Sequence, residues 1–556
     1  MTPTTTGDLV LPLVAAVAAV AVTAYASMRR RLRTTTRTTP GGGRGSAVPL
    51  DELARRAARS LVGTDDCVRA SREELSYVAG QFGYEVLRPY ADAVEYAGAE
   101  LAEAFLLRQR MDDGRGEARP LLADIVARCA AAGRRLDAAA AGFDQVRALE
   151  RTAPEAVEYA ELRFRELAAR IADADGTLAG LRERYPLSAY LPVAGHVEQA
   201  KDRLVFTTTC LGLARQALDR GEQDTAVAPL RAVEAAVGQA ESLLDGVARL
   251  ASDLTAARSA LPAALTDVEA AAARANEQGN TATARADLRG RIAHGESVAA
   301  AVRRTCGVGG GKGGEDGGAD AGPGSGQGTG VRCDPVGALR RIEEAAAGLD
   351  RALGRLPEGT RALGRLQRAL LVADGSVRAT SDYVTTHRGA VGCQARTRLA
   401  EAERRLRAAG STGRPAGPGD QEDPRDAGGP ETPGRPEGVG APSAGALADA
   451  READALARQA RQLAERDVRA FGTPYGEGVW TGSAVLGGIL LPSSEGPSPE
   501  GPGTAGPAHY GGPATRGRGA GGEPFRPTTP AHRTAPAEPT HPAGPATSAT
   551  PADPAG

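Results

Sequence analysis

Residues 157–185, VEYAELRFRELAARIADADGTLAGLRERY, decide the fold. Val157, Ala160, Phe164, Leu167, Ile171, Ala174, Leu178, Leu181 and Tyr185 recur at alternating spacings of three and four, which puts them on one stripe of an α-helix. The same alternation runs through Leu122, Ile125, Cys129, Ala132, Leu136, Ala139, Phe143 and Val146, and through Leu87, Tyr90, Val94, Ala97, Leu101 and Ala104. Further on, Leu230, Val233, Val237, Ala240, Leu244, Val247, Ala251 and Leu254 keep heptad spacing. Such stripes have to be buried, and short turns between them favour antiparallel neighbours. The fold class is therefore all-α, an extended antiparallel helical bundle or coiled-coil array with disordered inserts and tail, carried behind a single N-terminal transmembrane helix.

Turn chemistry divides the array. Thr152-Ala153-Pro154-Glu155 has the pattern of a capping box, which predicts a helix-helix turn. The apolar register passes through Pro154 unbroken, so one kinked helix is the competing reading. Pro186 and Pro192 bracket a second turn, and Arg220-Gly221-Glu222 marks a third. The helical domain spans 50–306, a Gly-rich disordered insert 307–333, a second helical segment with a break at Pro357 spans 334–409, a Pro/Gly-rich disordered insert 410–445, and a last helix 446–471. Residues 472–556 form a Gly/Pro-rich tail, expected to be disordered from Pro492 onward, with a short apolar patch at 479–491 that is too short to span a bilayer. Gln199–Leu204 resembles Gln394–Leu399, and Gln239-Ala240 resembles Gln459-Ala460, so the chain contains two candidate helical hairpins related as a repeat.

The N-terminus sets location. After a short extracytoplasmic stretch, 1–8, residues 9–28 are an apolar run whose helical length of roughly 30 Å matches a bilayer core. A basic tether, 29–49, follows. Arg29, Arg30, Arg31, Arg33 and Arg37 come after the run with no Lys or Arg before it, so the positive-inside rule places the N-terminus outside and the bulk of the chain in the cytoplasm. Ala24-Tyr25-Ala26 offers a signal-peptidase-like site, but a signal peptide carries its positive charge ahead of the apolar core, and here it follows. The expectation is a cell-membrane protein with a single-pass anchor, whose arginines also suit anionic lipid headgroups.

Composition narrows the functional classes. With Lys+Arg at 67 against Asp+Glu at 69, a net charge of −2 leaves no global basic footprint, and no nucleic-acid partner is expected. Aromatics at 3% argue against an aromatic-lined pocket and suit slender helices packed through small side chains. Cys67, Cys129, Cys210, Cys306, Cys333 and Cys393 include no CxxC pair and no His at ligand spacing, so they are expected as free thiols that act as small buried hydrophobes, with no metal and no cofactor. Cys306 to Gly313 fails as a phosphate-binding loop, since Gly is needed where Cys306 stands and Ser or Thr after Lys312. His196-Val197-Glu198 begins like a zinc-deaminase signature without its paired cysteines, which leaves His196 as a polar cap or surface residue. No catalytic residue emerges.

Several stretches together resemble a known family. These are the anchor with its Arg-rich exit and Thr36-Arg37-Thr38-Thr39-Pro40-Gly41-Gly42, Gly195-His-Val-Glu-Gln-Ala-Lys-Asp-Arg-Leu-Val-Phe206, Asp382-Tyr-Val-Thr-Thr-His-Arg-Gly-Ala-Val-Gly392, Asp454-Ala-Leu-Ala-Arg-Gln-Ala460, the patch from Ala484 to Leu490, and Gly512 to Arg518. They resemble the transmembrane and cytoplasmic part of TPM-domain-containing membrane proteins of high-GC bacteria. In that family an extracytoplasmic TPM domain, a fold linked to phosphatase activity, precedes the membrane helix, whereas here only Met1 to Asp8 precede it. The resemblance thus implies architecture and assigns no reacting residue. The expected function is a non-enzymatic, membrane-anchored helical scaffold or relay of the cell envelope that meets protein partners or its own copies through its helices. The alternatives are a truncated TPM-type phosphatase whose catalytic ectodomain is missing, and a division protein built like the septation-ring regulator.

Overall fold

A computed structural model of the chain describes residues 48–278, 285–307, 332–354, 359–413, 444–471 and 509–515. Every regular element among these residues is helical, as the periodicity requires. The chain divides into two compact units, Met1–Ala54 and Arg55–Gly556. Of the first, only the residues from 48 onward are described, and they open helix α1 (Leu50–Val78), whose first turn carries Asp51 and Glu52 at its positive end. The segments Leu9–Met28, with Arg29, Arg30, Arg31, Arg33 and Arg37 after it, and 479–491 lie outside the described residues. Among the described residues no helix is long and apolar enough to cross a membrane.

The second unit continues with α2 (Tyr84–Asp112), α3 (Ala118–Arg147) and α4 (Ala153–Arg184), then a short α5 (Leu187–Tyr190) and a 3₁₀ turn at Leu191–Val193. There follow α6 (His196–Asp219), α7 (Gln223–Gln278), α8 (Arg285–Cys306), α9 (Pro335–Leu353), α10 (Gly359–Thr386), α11 (Cys393–Gly413) and α12 (Ala444–Phe471). The 56 residues of α7 give it a length of about 84 Å, and it serves as the spine of the unit. Its N-terminal half packs through Leu230, Val233, Val237 and Leu244 against Val157 and Leu167 of α4 and Leu204 and Leu211 of α6. Its C-terminal half packs through Leu261, Leu265 and Val268 against Ile292 and Val302 of α8 and Leu339, Ile342 and Leu349 of α9. The spacings in the sequence thus become two apolar seams on one helix.

The turns show which sequence signals acted. A helix-helix turn does fall at 148–152, where Ala148 takes a left-handed φ of 46° and closes α3, so the single kinked helix is excluded. The capping box does not form. The Thr152 hydroxyl donates backwards to the carbonyls of Arg147 and Ala148, satisfying the end of α3 instead of the start of α4. Gly221, at φ +73°, makes the break between α6 and α7. Asp334 caps α9 by accepting from the Gly337 amide at 2.9 Å, with Pro335 in the first turn and Gly354 left-handed at the end. The segment expected as helix from the Pro357 break to 409 is interrupted again at 387–392, between α10 and α11, because Gly389-Ala390-Val391-Gly392 gives the chain room to reverse.

Three other expectations are corrected. Cys306 and Cys333 are joined by a disulfide with a Cα–Cα distance of 4.8 Å, so these two are not free thiols; the helix end and the start of the next one bring them together across residues 308–331. Cys67, Cys129 and Cys210 are buried and Cys393 is half-buried, and none of the four is in a disulfide. His196 is neither a surface residue nor a cap, since its ring is half-buried against α7. The tail beyond Pro492 is not disordered throughout, because His509–Thr515 is seated on α1, α2 and α3, with Tyr510 fully buried.

Candidate functional site

Three of the stretches that carry the family resemblance contribute to one buried polar layer, where the start of α6 and the end of α10 meet α7 and α10 meets the middle of α12. The fourth described stretch, at 512–515, lies elsewhere on the unit, and the anchor stretch is outside the described residues. His196 opens α6 with Nδ1 at 3.2 Å from the Leu243 carbonyl of α7. Gly246 permits that approach, since a Cβ there would stand 3.0 Å from the same nitrogen. Burial lowers the His196 pKa to about 4, and Arg461 and Arg249 add repulsion against its charged form. Two turns along α6, Arg203 is buried and its Nε donates to Gln239 of α7 at 3.3 Å. Burial lowers its pKa to about 10.

The α10 end supplies the centre of the layer. The Tyr383 and His387 rings stack at 4.1 Å, and the Arg461 guanidinium of α12 sits 3.8 Å from the Tyr383 ring centroid on a cation–π contact. His387 Nδ1 lies 3.0 Å from the Tyr383 carbonyl and 2.9 Å from the Thr386 hydroxyl. Burial pushes the His387 pKa down to about 4, reinforced by Arg203, Arg461 and His196, so both imidazoles are neutral at pH 7. Asp382 pairs with Arg249 of α7, and burial raises its pKa against that pairing.

Around the 387–392 turn the layer becomes ionic. Arg388 is 1% exposed, and its Nη1 donates to Glu73 of α1 at 2.7 Å while its Nε and Nη2 find no partner among the described residues. Arg396, at the start of α11, is equally buried; it donates to the carbonyls of Val391 and Arg388, which pins the turn, and its Nη1 reaches Asp65 at 2.5 Å and Asp66 at 2.7 Å on α1. Asp65 also accepts from Arg69, whose Nη1 continues to Thr385 of α10 at 2.9 Å. Burial alone raises the Asp65 pKa, but Arg69 and Arg396 outweigh it and hold the carboxyl below its usual value. Gly392 donates its amide to Asp467 of α12 at 2.9 Å, and Asp454, within the third stretch, takes a bidentate pair from Arg340 of α9 and a bond from Ser376 of α10.

Among the described residues most of these groups are paired with one another, Nε and Nη2 of Arg388 excepted. No group of three or more His, Cys, Asp or Glu among the described residues is arranged to hold a metal. A shallow cleft of about 410 Å³ lies instead between α8 and α9, lined by Asp287, Arg291, His294, Glu344 and Arg351, away from the motif residues. What the polar layer does is connect: its side chains tie α1 to the α10–α11 turn, α6 and α10 to α7, and α10 to α12. The two candidate repeat hairpins, α6–α7 and α11–α12, both exist as antiparallel pairs. Their matched arginines have diverged, with Arg203 bonding Gln239 inside its hairpin while Arg398 bonds Gln109 of α2.

Comparison with known proteins finds relatives that match along most of the chain. Over 462 residues, 80% of this chain, it is 31% identical to UPF0603 protein MT2410 of Mycobacterium tuberculosis (strain CDC 1551 / Oshkosh) and to UPF0603 protein Rv2345 of Mycobacterium tuberculosis (strain ATCC 25618 / H37Rv). The match covers 62% of each of them, so the chain spans about three fifths of the length of these relatives. No protein-family model matches the chain. No solved structure matches it either.

The polar layer itself was only half visible in the sequence. His387 and Arg388 stand inside a stretch that carries the family resemblance and Arg396 inside the repeat match Gln394–Leu399, but Asp65 and Arg69 stand in neither. The available signal was a charge standing on an apolar stripe: Leu61, Asp65 and Val68 are spaced four and three apart on α1, all buried.

Proposed function

We propose that this protein is a non-enzymatic, membrane-anchored helical scaffold or relay of the cell envelope, held to the membrane by Leu9–Met28 and to anionic headgroups by Arg29, Arg30, Arg31, Arg33 and Arg37. The observation that carries the reading is the fate of the motif residues. Most of their charges and rings are engaged in buried internal pairs that hold one helix to the next, which is what a rigid connecting body requires. A second reading draws on the family resemblance and on the greater length of the relatives: the helical body serves a TPM-type phosphatase whose catalytic part lies outside the matched stretch.

Two observations bear on the compartment and point in opposite directions. The arginine cluster orients the helical body to the cytoplasm. The Cys306–Cys333 disulfide is of a kind that persists in oxidising compartments. Cross-linking in cells at native expression, followed by alkylation of free thiols in the membrane fraction, tests both points. The scaffold reading expects discrete adducts larger than the chain and, for a cytoplasmic body, alkylation of Cys306 and Cys333 without prior reduction. A chain recovered as a monomer in the soluble fraction ends the scaffold reading, and protection of both thiols until reduction places the body outside.

A further inference from the structure

The segment His509–Thr515 is separated from α12 by residues 472–508, yet it is seated in a groove on the first three helices of the second unit with the complementarity of a ligand. Tyr510 is 0% exposed; its ring stacks on Phe143 of α3 at 4.4 Å and meets Tyr90 of α2 edge-on at 6.1 Å. The Tyr510 hydroxyl donates to the Tyr90 carbonyl at 2.9 Å, and its amide donates to Glu74 of α1. Glu74 is held in place for this by Arg147, which bridges it to Glu234 of α7; burial works against the charge of Arg147, but the two carboxylates outweigh it and hold its pKa up. The Gly511 amide donates to the Ser71 hydroxyl at 3.2 Å.

The other end of the segment is gathered by one carboxylate. Asp137 of α3 accepts from the amides of Ala514 and Thr515 at 3.2 and 2.8 Å and from the Thr515 hydroxyl at 2.6 Å. Between the two anchor points only glycine fits. Gly511 has φ +139°, and a Cβ on Gly512 would stand 2.1 Å from the Gly133 carbonyl. Gly133 is itself required, since a Cβ there would stand 2.8 Å from Pro513. Each position of Tyr-Gly-Gly-Pro therefore has a physical requirement: a ring pocket, a left-handed φ, a backbone-to-backbone approach, and a ring seated over a glycine.

We infer that the α1–α2–α3 groove is a peptide-recognition site for Tyr-Gly-Gly-Pro-x-Thr sequences, and that the chain's own residues 509–515 occupy it in cis as a releasable latch. The site is independent of the scaffold reading. A tethered occupant acts at an effective concentration of order millimolar, so a free peptide of the same sequence competes only weakly until the latch is weakened. Access of an outside Tyr-Gly-Gly-Pro sequence to the groove is set in this way by the tail.

The test uses the full-length chain and its Gly512→Ala variant, whose substitution lies in the tail and leaves the helical bundle untouched, as circular dichroism verifies. The probe is a fluorescein-labelled peptide of residues 507–517. The expected result is binding to the Gly512→Ala chain at least tenfold tighter than to the native chain, loss of binding when the peptide itself carries Gly512→Ala, and amide exchange across 509–515 at least tenfold faster in the variant than in the native chain. Equal binding to both chains, absence of binding to the variant chain, or equal exchange overturns the proposal. Protection of the segment that falls on dilution of the native chain assigns the occupant to a second copy and overturns the cis latch. Asp137→Asn, which weakens one anchor without touching the tail, is expected to speed exchange at Ala514 and Thr515 more than at Tyr510.

Discussion

Two parts of the second unit hold helices together by opposite means. Where α7 meets α8 and α9, the contact is dry: Leu261, Leu265, Val268, Ile292, Val302, Leu339 and Leu349 interdigitate with alanines, and ion pairs such as Arg303–Glu269 stay at the half-exposed rim. Where α1 meets the α10–α11 turn, the contact is ionic: Asp65, Arg396 and Arg388 are almost wholly buried, and Arg69 and Glu73 complete their pairing. The dry seam draws its stability from area removed from water and tolerates any apolar residue of suitable volume. The ionic layer adds little net stability, because desolvation offsets the Coulomb attraction, but it makes any other pairing of those helices costly. The apolar seam of the spine on α8 and α9 is held by burial, and α1 is held in register on the α10–α11 turn by charge.

The largest effect expected from this difference is on the ionic side. Asp65→Ala leaves the buried Arg396 and Arg69 short of a counter-charge and is expected to destabilise the unit by about 3–5 kcal/mol. Replacing Asp65 and Arg396 together by Leu and Met is expected to recover most of that loss, and urea unfolding of the single and double variants measures both. If the single and double variants are equally destabilised, the layer contributes through packing and the contrast fails. On the dry side, Leu265→Ala removes a side chain that is 1% exposed and is expected to cost about 3 kcal/mol through lost transfer energy and the cavity left behind. No second substitution of opposite charge rescues it, which separates the two mechanisms in one experiment.

The same contrast explains what the sequence disclosed. Apolar seams advertise themselves, because burial imposes a period, and the stripes from Leu122 to Val146, Val157 to Tyr185 and Leu230 to Leu254 were legible with their turns at 148–152 and 220–222. A buried ion pair has no period. Asp65 and Arg396 are 331 positions apart, and only the packing of α1 on α11 makes them partners. The reversal at 387–392 has no local turn signature for a different reason: it is fixed by the Arg396 side chain reaching back from the next helix to bond two of the turn's carbonyls, five and eight residues earlier. The tail latch was hidden more deeply, since Tyr510 stands in a Pro/Gly-rich stretch whose composition reads as disorder, and its order comes entirely from the groove.

The effect that probes the layer without breaking it is its pH dependence. Burial holds the pKa of both His196 and His387 at about 4, below the usual value near 6.5. For such a group the unfolded chain binds the proton first as pH falls, so the native state loses stability progressively from pH 6.5 down to 4 and no further below it. Each imidazole contributes a slope of at most about 1.4 kcal/mol per pH unit inside that window. Asp65 titrates elsewhere: its pKa is lowered, so the stability it lends is present above the normal carboxylate range and is lost only as pH falls through the folded value. The two contributions are therefore separable by pH. His387→Phe keeps an aromatic ring on Tyr383 and removes one titration, and it is expected to flatten the dependence between pH 6.5 and 4 while leaving the acid limb governed by Asp65 in place. An unchanged slope in that variant means that His387 is solvated enough to titrate alike in both states, and the stacked layer is then looser than its 4.1 Å ring contact and the cation over it imply.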